Sequence, residues 1–72
     1  MKTTFRKPPK RIVVYAKDIE NITGRKPGAA RKLLRNIKKA FEKLPDQFVT
    51  AAEFSAYTGI EEGLVREYLE IS

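Results

Sequence analysis

The chain has no cysteine and no histidine. The first absence excludes a disulfide framework and a thiolate metal site. The second removes the commonest catalytic base and the commonest zinc ligand. Its four glycines are scattered at expected helix ends, so there is no Gly-rich phosphate loop. The longest apolar run, Ile12 to Ala16, is far too short to span a membrane. Lys2 to Arg11 has no apolar stretch of the kind a signal peptide needs. Together these absences point to a soluble, cytoplasmic binding module without cofactor or metal. No catalytic residue is assigned, because an enzyme would have few parts to work with.

What is present fits one small domain. The 72 residues are 42% apolar, enough for a folded core and too many for an obligately disordered chain. Below roughly 70–80 residues such a core rarely supplies more than ~3–5 kcal/mol. The net charge of +6 is unevenly spread. Residues 1–43 hold 14 Lys/Arg and three acids (Asp18, Glu20, Glu42), giving +11. Residues 44–72 hold Arg66 and six acids, giving −5. A basic half attracts nucleic acid, acidic lipid or an acidic protein. The bland alternative is a solvated dipolar surface.

Residues 1–10 carry four basic side chains, Pro8, Pro9 and an isolated Phe5, and read as a flexible basic arm. Residues 11–72 read as a single helical domain. Its basic unit spans 11–43 and its acidic unit 44–72. Arg11 to Tyr15 is a β-branched run, either extended or feeding directly into a helix. Tyr15, Ile19 and Ile22 give amphipathic spacing over Ala16 to Thr23. Gly24 suits a left-handed helix stop, and Pro27 suits the first turn of the next helix.

That next helix, expected from Pro27 to about Lys43, is the clearest element. Advancing about 100° per residue, Lys38, Arg31, Gly28, Arg35, Lys39 and Lys32 fill one arc. Ala29, Ala40, Leu33, Ile37, Ala30, Phe41 and Leu34 fill the opposite arc. Leu44 to Thr50 reads as a connector. Thr50 and Glu53 form a capping box, with Val49 and Phe54 placed as a hydrophobic staple. They predict a helix from Ala51 to about Thr58, stopped by Gly59. Glu61 and Glu62 suit the first turn of a last helix. Its apolar side is Leu64, Val65, Tyr68, Leu69 and Ile71.

An offset of 35 residues superimposes the two halves. It pairs Ala16 with Ala51, Thr23 with Thr58, Gly24 with Gly59, Gly28 with Gly63, Arg31 with Arg66 and Leu34 with Leu69. These are six identities over 19 positions. Convergence on helical hairpins would produce part of this match. A true internal repeat accounts for both glycines and the Thr as well. The expected fold is therefore all-α: four helices as two tandem helix-turn-helix-like hairpins without a wing. Its expected core is Ile19, Ile22, Leu33, Leu34, Ile37, Phe41, Phe54, Tyr57, Leu64, Tyr68 and Leu69.

A short helix, a tight turn with Gly and a second helix describe the DNA-binding helix-turn-helix, whose second helix enters the major groove. Here that helix offers Arg31, Lys32 and Arg35, with Arg25 and Lys26 in the turn. Arg is well suited to guanine O6 and N7. Lys38 and Lys39 suit phosphates. Two readings of Gly28 stand side by side: a bare position that lets backbone approach a phosphate, or a packing position matched by Gly63. The arm residues Phe5, Arg6, Lys7, Lys10 and Arg11 either lie in a minor groove or form a solubilising tail. The acids Glu53, Glu61, Glu62, Glu67 and Glu70 read as a solvated surface rather than a metal site.

Tyr15 followed by AKDIENITGRKPGAARKLL resembles the compact helix-turn-helix of excisionase-like and related small DNA-binding proteins of bacterial mobile elements. The resemblance covers about 20 of the 72 residues. It implies DNA binding by Arg25, Lys26, Arg31, Lys32 and Arg35. Members usually carry a β-hairpin wing after the recognition helix, and none is expected here. The expected function is double-stranded DNA binding in regulation of transcription or of a mobile element, with nucleoid association. Homodimerisation or cooperative binding would supply specificity, and the acidic 53–70 face is free for a protein partner. The rival class is a protein-interaction module whose basic helix docks an acidic partner. A third option is RNA binding, marked by an exposed aromatic platform, whereas the aromatics here sit mostly at core spacing.

Overall fold

The computed structural model describes residues 12–71; the expectations for the basic arm, residues 1–10, and for Arg11 lie outside them. Strand β1 (Val13–Val14) leads into α1 (Ala16–Thr23) and α2 (Pro27–Ala40). Strand β2 (Val49–Thr50) then leads into α3 (Ala51–Thr58) and α4 (Glu62–Ile71). The described residues are mostly helical, so the fold is broadly all-α as expected, and it adds one element the sequence did not suggest, a two-stranded antiparallel sheet. Its residues are β-branched, the type that fits a pleated surface. Val14 pairs with Val49 and Val13 with Thr50. The tail of the expected connector is thus a strand. β2 pairs with β1, ahead of α1, and not with a second strand beyond α2.

Each half repeats the same local bonds. The Tyr15 N–H donates to Asp18 Oδ2 at 2.8 Å, and the Thr50 N–H donates to Glu53 Oε1 at 2.9 Å. The Thr50 hydroxyl accepts from the Glu53 N–H and closes the capping box; Tyr15 makes no such side-chain cap. At the other helix end, Thr23 donates to the Ile19 carbonyl and Thr58 to the Phe54 carbonyl. Those hydroxyls accept from the N–H groups of Arg25 and Ile60, both at 3.2 Å. Gly24 and Gly59 stop their helices at φ of 77° and 82°, where a Cβ would be strained. Val14 and Val49, paired antiparallel, are themselves 35 residues apart. An antiparallel pair has a local twofold axis between its strands. Under the 35-residue offset the α1–α2 hairpin corresponds to α3–α4, and the contact α1–α4 to α2–α3.

The core lies around that axis. Val14, Ile19, Ala30, Ile37, Val49, Ala51, Phe54, Val65 and Leu69 are buried, with Ile22, Leu33, Leu34, Ile60 and Tyr68 packed against them. Three expected core residues are exposed instead: Phe41, Tyr57 and Leu64. In α3, Ala51 and Phe54 point inward. Each three-residue step falls about 60° short of a full turn, so Tyr57 has rotated out of the core. In α4 the buried line is Val65 and Leu69, which leaves Leu64 on the flank.

Phe41 is exposed because α2 stops at Ala40, not near Lys43. The Glu42 N–H donates to the Lys39 carbonyl and the Lys43 N–H to the Lys38 carbonyl. These two bonds form a Schellman turn, with Glu42 in the left-handed position at φ 55°. Lys43 then turns back to pair with Glu53, Nζ to Oε2 at 3.0 Å, tying the end of α2 to the start of α3.

Candidate nucleic-acid interface

α2 buries Ala30 and Ile37 and turns its opposite side to solvent. That side carries Gly28, Arg31, Arg35, Lys39 and Lys32, all exposed. Arg25 and Lys26 are exposed in the three-residue turn before it, whose backbone is held by the Thr23 hydroxyl. Among the described residues, Arg25, Lys26, Arg31, Lys32, Arg35 and Lys39 form no ion pair. Their charge faces solvent uncompensated.

The second half shows what this face lacks. Arg66, the counterpart of Arg31, directs both Nε and Nη2 at Glu62 Oε2, each at 2.7 Å. Glu62 is the first residue of α4 and stands four residues ahead of Arg66. At the same position in α2 stands Pro27, which has no carboxylate. Proline costs no hydrogen bond at a first helical position. The exchange leaves Arg31 without a local partner. The first turn of α2 holds no acid, and its N-cap, Lys26, makes no side-chain cap. The positive end of the helix dipole is therefore not countered locally.

Gly28 sits in this arc with open space around it: a Cβ there would meet nothing within 4 Å, and the same holds at Gly63. The packing reading of Gly28 is thereby overturned, since no neighbour demands the missing side chain. Lys38 differs from the other cations. It is half-buried, and its Nζ donates to the Pro45 carbonyl at 2.7 Å. The expected phosphate ligand is thus partly committed to bracing the turn after α2, with two of its three donors left over.

Lys43 was missed by sequence reasoning. With Arg35, Lys38, Lys39 and Pro45 it lines a shallow cleft at the C-terminal end of α2. A straight helix to Lys43 would place it about 20° beyond Lys32, at the edge of the arc. Pro45, shortly after the helix end, was the available signal for an earlier stop. Burial alone would raise the pKa of its partner Glu53. The Thr50 N–H, the Lys43 ammonium and the Thr50 hydroxyl outweigh that penalty and hold the carboxyl below its ordinary value.

The acidic half presents Glu61, Glu67 and Glu70 at its surface, while Glu62 is occupied by Arg66. The aromatic residues depart from expectation. Tyr15, Phe41, Phe48 and Tyr57 are exposed, and Tyr15 and Phe48 meet edge to face at 6.0 Å across the strand pair. Among the described residues, no group of carboxylates could hold a metal ion, and no helix is long and apolar enough to cross a membrane. No protein-family model, curated protein or solved structure significantly matches the chain.

Proposed function

We propose that the protein binds double-stranded DNA through α2, as a non-enzymatic regulator of transcription or of a mobile element. The observation that carries this reading is the uncompensated cationic arc of α2, set opposite its buried line of Ala30 and Ile37. Arg31 lies in the N-terminal half of α2, where a helix-turn-helix meets base edges, and Arg35 follows one turn on, just past the middle of the helix. Lys39, the free donors of Lys38, and Lys26 suit the flanking phosphates. The exposed Gly28 lets the bare first turn of α2 approach a phosphate closely. The acidic half completes the core, and its carboxylates repel DNA.

The test is selection from random duplexes at near-physiological salt, followed by titration of Arg31→Ala and Arg35→Ala. Removing a side chain that truly reads a base should cost ~1–3 kcal/mol and relax the preference at one position. Unchanged affinity and unchanged site preference in both variants would sink the assignment. Single-stranded RNA is included as a competitor, because Tyr15 and Phe48 are exposed. Preference for RNA over duplex would move the site to those rings. A failure to retain any nucleic acid would favour an acidic protein partner.

A further inference from the structure

Positions equivalent under the 35-residue repeat have opposite character on the flanks of α2 and α4. On α2, Arg25, Ala29, Lys32, Leu33 and Asn36 line a shallow cleft. On α4 the counterparts of Ala29 and Asn36 are Leu64 and Ile71, which are 57% and 82% exposed. Half-buried Tyr68, the counterpart of Leu33, lies between them on the same side of the helix. Small residues make a hollow on one helix, and large apolar residues make a ridge on the other. Charge is reversed at the same positions. Lys32 lines the cleft and Lys26 is the N-cap of the same helix, where α4 has Glu67 and, just ahead of the helix, Glu61; all four are exposed.

A ridge of apolar side chains with acidic borders fits a hollow of small side chains with basic borders. Each molecule carries one of each, on different surfaces. We propose that the α4 ridge of one molecule docks into the α2 flank cleft of a second copy, head to tail. Such a contact is heterologous, joining unlike patches. Leu64 and Ile71 leave water for the cleft, while Glu61 and Glu67 meet Lys26, Lys32 and Arg25. Few side chains take part, so association is weak and falls with salt, which screens the exposed charges. Arg31, Arg35 and Lys39 lie beside the cleft and stay open, while Arg25, Lys26 and Lys32 are shared between this contact and the cationic face. The inference does not depend on DNA binding and is tested without DNA.

The experiment is sedimentation equilibrium of the full chain at low salt over rising concentration. Two variants accompany the wild type: a ridge variant, Leu64→Ser with Ile71→Ser, and a cleft variant, Ala29→Glu with Lys32→Glu. All four positions are exposed, and circular dichroism checks that both variants stay helical. The wild type should gain average mass with concentration and lose that gain at high salt. Each variant alone should remain monomeric. An equimolar mixture should form a one-to-one dimer and stop there, since it holds one intact ridge facing one intact cleft. A monomeric wild type overturns the proposal. So does a cleft variant that still self-associates, because ridge would then meet ridge. A mixture of two folded variants that stays monomeric overturns it as well.

Discussion

Replacing Pro27 with Glu would copy into α2 the arrangement that neutralises Arg66 in α4. There, Glu62 opens the helix and holds the guanidinium four residues on at 2.7 Å. Pro27 occupies the same first helical position, so the new carboxylate would reach Arg31 by the same geometry. Stability should hardly change. An exposed pair at this spacing contributes about 0.2–0.5 kcal/mol, and losing the stiffness of proline costs about 0.4–1 kcal/mol. DNA binding should change much more. If Arg31 is withdrawn from a base edge, ~1–3 kcal/mol is lost, or roughly 5- to 150-fold in Kd. Fluorescence anisotropy against a selected duplex measures this. Pro27→Gln controls for loss of the proline, and Pro27→Glu in an Arg31→Ala background separates pairing from plain repulsion of phosphate. Pairing predicts that the new carboxylate does little once Arg31 is gone. Equal affinity for the Gln and Glu variants would refute the argument, as would the same loss with and without Arg31.

Three further outcomes follow from the same geometry. With about five basic side chains on phosphates, log K against log salt should slope near −4 to −5, at ~0.9 per contact; a flat response in duplex titrations would remove DNA as the partner. Glu42→Gly should stabilise the fold. It relieves a left-handed φ that costs about 1–2 kcal/mol and incurs about 0.5–1 kcal/mol of chain entropy, so the melting temperature should rise by a few degrees. A fall would show that the Glu42 side chain contributes more than its backbone strain costs. Glu53 has a lowered pKa in the folded state, so its contribution is full above the ordinary value of 4.5 and is lost as pH falls through the lower folded value. Urea unfolding in acid should show this loss for the wild type and a flatter profile for Glu53→Gln; parallel profiles would count against the role of Lys43 and Thr50 in lowering that pKa.

Local signals carried the helices well. Gly24 and Gly59 stand at the left-handed stops, Pro27 opens α2, and Thr50 with Glu53 caps α3, because each acts within a turn of its own position. The cationic arc was legible for the same reason, since helical periodicity alone puts Arg31, Arg35 and Lys39 together. The sheet was not. Val13–Val14 and Val49–Thr50 are two-residue strands separated by the whole of the first hairpin and the turn after it, and nothing local marks that pairing. Its trace was an offset of 35 between two valines, Val14 lying just ahead of the aligned repeat. The end of α2 was hidden because the left-handed position is filled by Glu42 rather than Gly. Lys38 looked equivalent to Lys39 by angle alone, and only the returning turn supplies the Pro45 carbonyl that separates them.

The strand pair at Val14 and Val49 also bears on the form of the proposed DNA site. A true dimer built on such an axis would present two identical reading helices and call for a palindrome. Here both halves of the frame belong to one polypeptide, so their outer side chains need not match, and at Pro27 and Glu62 they do not. A single chain with this frame offers one basic helix and one acidic helix where a homodimer would offer two alike. On the proposed reading, the site of each molecule is asymmetric, a half-site with a defined polarity. The orientation of that half-site would set the direction in which the molecule faces along the duplex.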